Sequence, residues 1–132
     1  SLHAPADETR SKLIPYNRKY PLPGLLAELK KVHQVLKRDI TFEYTLIAGV
    51  NDSREDAKAV AGIAKPLRAK LNLIPYNPIR EIAWETPSRE RMMLFRETLE
   101  KSGVRSTFRK SAGLDAEAAC GQLRLDRSMR QV

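Results

Sequence analysis

Residues 40–77, ITFEYTLIAGVNDSREDAKAVAGIAKPLRAKLNLIPYN, switch from a strand pattern to a helical one and back again. Ile40 to Ile47 is dense in β-branched and aromatic residues and stops at Gly49-Val50-Asn51-Asp52, whose glycine and Asx side chains favour a turn. Ser53 then stands three residues before Asp56, an acidic first turn similar to a capping box, ahead of Val60, Ile63, Ala64 and Leu67 at helical spacing. Leu71 to Tyr76 is a second strand. It is ended by Asn77-Pro78, because the proline pushes Asn77 towards extended geometry and has no N–H for a ladder.

Outward from this strand–helix–strand unit the same alternation continues. Leu22, Leu25, Leu26, Leu29, Val32 and Leu36 recur at helical spacing, with Lys30, Lys31, Lys37 and Arg38 on the other face and at the end, so residues 22–38 read as an amphipathic helix. Thr86-Pro87 looks like a helix N-cap with proline at the first helical position; Met92, Phe95 and Leu99 give the face, and Gly103 suits the stop. Val104 to Phe108 is a third strand. Asp115 to Met129 is alanine-rich and then basic, with a terminal helix expected around or after Cys120. Alternating helices and strands predict an α/β fold of parallel strands joined by crossover helices, with functional residues on loops at the strands' carboxy ends. Those loops hold Asn77, Gly49 to Ser53 and His3.

The chain of 132 residues is expected to be one domain, divided into a strand end and loop at 1–21, alternating helix and strand units at 22–110, and a cysteine-bearing loop with a terminal helix at 111–132. Its 24 Lys and Arg against 16 Asp and Glu give +8, which makes a polyanion, nucleic acid first, the expected partner. A single cysteine excludes an internal disulfide and a thiolate cluster built from this chain alone, and a cytoplasmic setting is the simplest reading. Apolar runs such as Thr45 to Val50 fall well short of the ~20 residues a membrane helix needs. Leu-Ile-Pro-Tyr-Asn occurs twice, at 13–17 and 73–77, in flanks that do not match, so it reads as coincidence rather than a repeat.

Taken alone, the chemistry-bearing residues have bland readings. Cys120 among alanines fits a buried small hydrophobe better than a nucleophile, His3 fits an exposed or hydrogen-bonded side chain, and Asn77 fits a turn starter. Their company changes the balance: Ser-Leu-His-Ala-Pro at 1–5, Thr-Phe-Glu-Tyr at 41–44, Gly-Val-Asn-Asp-Ser at 49–53, Asn-Leu-Ile-Pro-Tyr-Asn-Pro at 72–78, Pro-Ser-Arg-Glu-Arg at 87–91 and Ala-Ala-Cys-Gly-Gln-Leu at 118–123. In that order, over nearly the whole chain, they resemble the RlmN and Cfr family of radical S-adenosylmethionine (SAM) RNA methyltransferases.

The resemblance implies the carboxy-terminal part of a partial (β/α) barrel of TIM-like architecture, and an enzyme that methylates C2 of adenosine in large-subunit ribosomal RNA and transfer RNA. It implies SAM and a [4Fe–4S] cluster as cofactors, with the cluster's cysteine ligands in an amino-terminal part that this chain lacks. It implies that Ser1, Leu2, His3 and Asn77 meet SAM and that Cys120 is the methyl-carrying cysteine. The fragment alone is then expected to be inactive. Ser111 to Glu117 departs from the family's usual run before that cysteine. Two other readings stay open: a non-catalytic basic module that holds RNA, and a radical SAM paralogue with another substrate. A barrel cut before its late strands also leads us to expect a homodimer or a domain swap.

Overall fold

The structure, a computed structural model, describes residues 1–109. Three strands, β1 (Thr41–Leu46), β2 (Lys70–Pro75) and β3 (Ser106–Phe108), form one sheet in the order β1-β2-β3, parallel throughout. Phe42, Leu71 and Ser106 lie side by side in register, as do Glu43, Asn72 and Thr107. One face is therefore apolar and the other polar.

Four helices connect and cover the strands: α1 (Asp7–Leu13), α2 (Leu22–Leu36), α3 (Arg54–Ala64) and α4 (Arg89–Lys101). α3 starts where the sequence places it, because the Ser53 side chain accepts from the Asp56 N–H while the Asp56 carboxylate accepts from the Ser53 N–H. It buries Ala57, Val60, Ala61 and Ala64, small residues that let the helix lie close on the sheet. From α4, Phe95 and Leu99 meet the same face, the Phe95 ring 5.2 Å from that of Tyr44. Arranged this way, the strands' carboxy ends at Leu46 and Pro75 open on the same edge of the sheet.

Three expectations need correction. α4 begins after Ser88, whose hydroxyl accepts from the Arg91 N–H, not at Thr86-Pro87; the Thr86 hydroxyl is taken by the Tyr76 carbonyl and Pro87 is buried. The stretch 1–21, read as a strand end and loop, also carries α1 and a short 3-10 helix, Pro15–Arg18. Along α2 only Leu22 is buried, Leu26 and Leu29 are half-covered, and Leu25, Val32 and Leu36 are exposed. Helical period gives the face but not whether a neighbour covers it. Cys120 and the expected terminal helix lie outside the described residues.

Candidate functional site

Beyond the carboxy ends of β1 and β2 lies a cleft of about 450 Å3, lined chiefly by Ser1, His3, Thr45, Ile47, Tyr76 and Trp84. Its size falls in the range of small-molecule sites, and its walls are mostly apolar with a few polar groups. Leu13 and Ile14 close one side; Ile79 and Ile82, on the loop after β2, close another. That loop is tied down by the Ala48 N–H on the Glu85 carbonyl at 2.8 Å, by the Thr86 hydroxyl on Tyr76, and by Trp84 set edge-on to the Tyr76 ring.

His3 is the cleft's most constrained polar group. Its backbone is left-handed, with φ of 60°, unusual for a residue other than glycine. The turn brings its Nδ1 to the Thr45 N–H, 2.9 Å away, where the carbonyl of a neighbouring strand would ordinarily stand. The Leu2 N–H does bond the Glu43 carbonyl as a strand would. The imidazole thus finishes a ladder edge that the backbone begins. Burial first, then the positive charges of the chain's amino group and Arg10, lower its pKa to about 4. The ring is neutral near pH 7, and because Nδ1 accepts, the proton sits on Nε2.

Two buried networks hold this turn. Arg10, 6% exposed, donates to the carbonyls of Ser1 and Leu2 and to Oδ1 of Asn17 at 2.7–2.9 Å. The Asn17 amide reaches Oδ1 of Asp7, which also accepts from the Leu22 N–H and so links the start of α2 to the start of α1. Those two bonds hold the Asp7 carboxyl below its ordinary range. On the other side Asn51, fully buried, donates to the carbonyls of His3 and Thr45 and accepts from the Ile47 N–H, while its own carbonyl accepts from the Tyr44 hydroxyl. Beside it Asp52, buried, accepts from the Gly49 N–H and from Arg91 of α4 at 2.8 Å.

Of the residues singled out by sequence, Ser1 and His3 line the cleft. Leu2 lies in the core, its N–H on Glu43 and its carbonyl on Arg10. Asn77 is exposed and follows Tyr76, a lining residue, without itself lining the cleft. Cys120 falls outside the described residues. Sequence reasoning did not single out Arg10, Asn17, Tyr76 or Trp84. For Asn51 the Gly-Val-Asn-Asp turn was a signal, whereas an Arg in a short charged helix gives none. Among the described residues no three His, Cys, Asp or Glu side chains could share a metal ion. These residues do not fit an iron–sulfur cluster, and no helix among them is long and apolar enough to cross a membrane.

No family model matches the chain. It is 46% identical over 128 residues to a probable dual-specificity RNA methyltransferase RlmN of Synechococcus elongatus, covering 97% of this chain and 36% of that protein. A protein of the same description from Pelotomaculum thermopropionicum is 47% identical over 125 residues, covering 94% and 34%. The crystal structure of a radical SAM methyltransferase from Sphaerobacter thermophilus superposes with a TM-score of 0.82 at 44% identity, over 95% of this chain and 37% of that one. A domain of a pyruvate-formate lyase-activating enzyme from Bacteroides vulgatus shares the fold at 20% identity, with a TM-score of 0.68 over 83% of this chain and 64% of that one. The chain spans about a third of the length of the curated relatives it matches. In sequence and in fold it corresponds to the carboxy-terminal part of the RlmN radical SAM methyltransferases.

Proposed function

We propose that this chain is the carboxy-terminal part of a radical SAM RNA methyltransferase acting on C2 of adenosine in large-subunit ribosomal RNA and transfer RNA. The observation that carries the reading is the apolar cleft at the strands' carboxy ends with a neutral, clamped His3 on its wall. In α/β barrels that end of the sheet is where ligands bind.

In this reading Ser1, His3 and Asn77 meet SAM, and Cys120 carries the methyl group; Leu2, expected with them, supports the contact from the core instead of touching the ligand. His3 offers its Nε2–H as a fixed donor, held in place by the Thr45 N–H and Asn51. Leu2 anchors the turn in the core, leaving Ser1 and His3 on the cleft side. Ile47, Ile79, Ile82 and Trp84 give the walls an apolar surface, and Asn77, which follows the lining residue Tyr76, carries an amide that can both donate and accept. SAM, with a cluster borne by the part of the longer relatives that this chain does not span, would supply the methyl group and the radical chemistry that an electrophilic aromatic carbon requires. The 132-residue fragment alone is expected to be inactive. In a full-length version, Cys120→Ala should abolish RNA methylation read by mass spectrometry of the digested RNA, and retained methylation would refute the assignment.

A further inference from the structure

At the opposite end of the sheet, the amino ends of the strands border two adjoining clefts of about 690 and 350 Å3, which share Lys70, Gly103, Val104 and Arg105. Five residues along β2 at ~3.3 Å each place this end roughly 16 Å from the mouth. Four cations surround it: Lys65, Arg68, Lys70 and Arg105, all exposed. None has a carboxylate partner among the described residues, where the ion pairs are Lys31–Glu28, Arg91–Asp52, Arg96–Glu100 and Arg109–Glu43. The one acidic residue on the lining, Glu100, is engaged by Arg96 at 3.2 Å.

The backbone is shaped for this grouping. Arg68 takes a left-handed φ of 53° where the short helix after α3 ends. Gly103, at φ 87°, has no side chain, and the Lys65 ammonium lies 3.6 Å from where a Cβ would stand. Ser106 borders the cleft, but its register with Phe42 and Leu71 turns its buried side chain to the helix-covered face, away from Lys70 and Arg105. Four exposed cations without carboxylate partners among the described residues, around one concave surface, make it a place for anionic oxygens.

We propose that this basal cleft binds the phosphodiester backbone of RNA, as a contact surface separate from the mouth. Arg68 and Arg105 offer planar forks suited to phosphate, and Lys65 and Lys70 add point charges. The choice of RNA rests on the methyltransferase reading; the cationic cleft does not.

The test is binding of a labelled single-stranded RNA oligonucleotide to the 132-residue chain across a salt series. Arg68→Gln with Arg105→Gln should flatten the slope of log affinity against log salt by about 1.4, two phosphate contacts at ~0.7 each. A control of equal charge, Lys30→Gln with Lys37→Gln on and just after α2, should leave the slope unchanged. Equal flattening in both double variants would mean diffuse surface charge and overturn the proposal, as would failure of the unaltered chain to bind RNA. The Cys120 test reads catalysis in the full-length protein, so either idea can fail alone.

Discussion

Leu-Ile-Pro-Tyr-Asn is inverted between its two occurrences. At 13–17 the asparagine is inside, Asn17 being 2% exposed, and Tyr16 is 73% exposed. At 73–77 Leu73 is fully buried, Tyr76 is 3% exposed and Asn77 faces solvent. The flanks decide. The first copy leaves α1 and turns through a 3-10 helix, which swings the asparagine back onto Arg10 and Asp7. The second continues β2, held by β1 from Thr41↔Lys70 to Leu46↔Pro75. Even the proline fits there. The Lys70 and Tyr76 N–H groups point to β1 and that of Leu71 points towards β3, so alternation aims the position of Pro75 at the β3 side, beyond the last pairing, Leu73↔Phe108. Yet both copies wall one cleft, the first through Leu13 and Ile14 and the second through Tyr76.

The most severe way to break the contrast is to remove its leucines. Leu73→Ala should cost about 2–5 kcal/mol, as for a filled core position, whereas half-buried Leu13 should lose well under half of that. Denaturant midpoints of the two variants decide it, and equal losses would mean that both copies are core elements.

Between the copies sits His3, whose neutral form the fold demands. Its folded pKa of about 4 lies below the ordinary 6.5, so as pH falls the unfolded chain takes up this proton first. Its contribution is whole above pH 6.5, declines between 6.5 and 4, and levels off below. The loss should be on the order of 2–3 kcal/mol in unfolding free energy. His3→Gln should remove that slope from a pH series of unfolding curves. An unchanged slope would place the titration elsewhere.

The asparagines sharpen the contrast further. Asn17→Ala should destabilise by roughly 1–3 kcal/mol, because it strands one donor of buried Arg10 and leaves Oδ1 of Asp7 with the Leu22 N–H alone. Asn77→Ala should stay within about 0.5 kcal/mol, as for a surface change, and under the proposed function it should instead weaken SAM binding by calorimetry in a full-length version.

How much of this was legible follows the same division. Regular elements announced themselves: Ser53 and Asp56 capped α3 as their spacing implied, β1 and β2 fell within a residue or so of their patterns, and Gly103 stopped α4. In each case the signal is local. The cleft was only half legible, since Ser1 and His3 reach it through a turn at φ 60° stabilised by partners at positions 45 and 51, far along the chain. Arg10 looked like a surface charge because nothing nearby in sequence shows that two carbonyls and an amide converge on it. The exposure of Leu25, Val32 and Leu36 on α2 likewise depends on what packs there, which period does not encode.

The smallest expected effect is the most diagnostic. Tyr76 is 3% exposed, yet its hydroxyl has no hydrogen-bond partner among the described residues, and burial pushes its pKa up. Tyr76→Phe removes an unpaired group and keeps the ring against Trp84, so unfolding should be unchanged or up to about 1 kcal/mol harder. Tyr16→Phe, at an exposed ring, should do nothing measurable to stability. A loss of 1 kcal/mol or more in Tyr76→Phe, on the scale of a typical net hydrogen bond, would mean that the hydroxyl is paired in solution. The second copy would then be held, like the first, by a polar network, and the contrast between the two would narrow to which residue of the pentapeptide carries it.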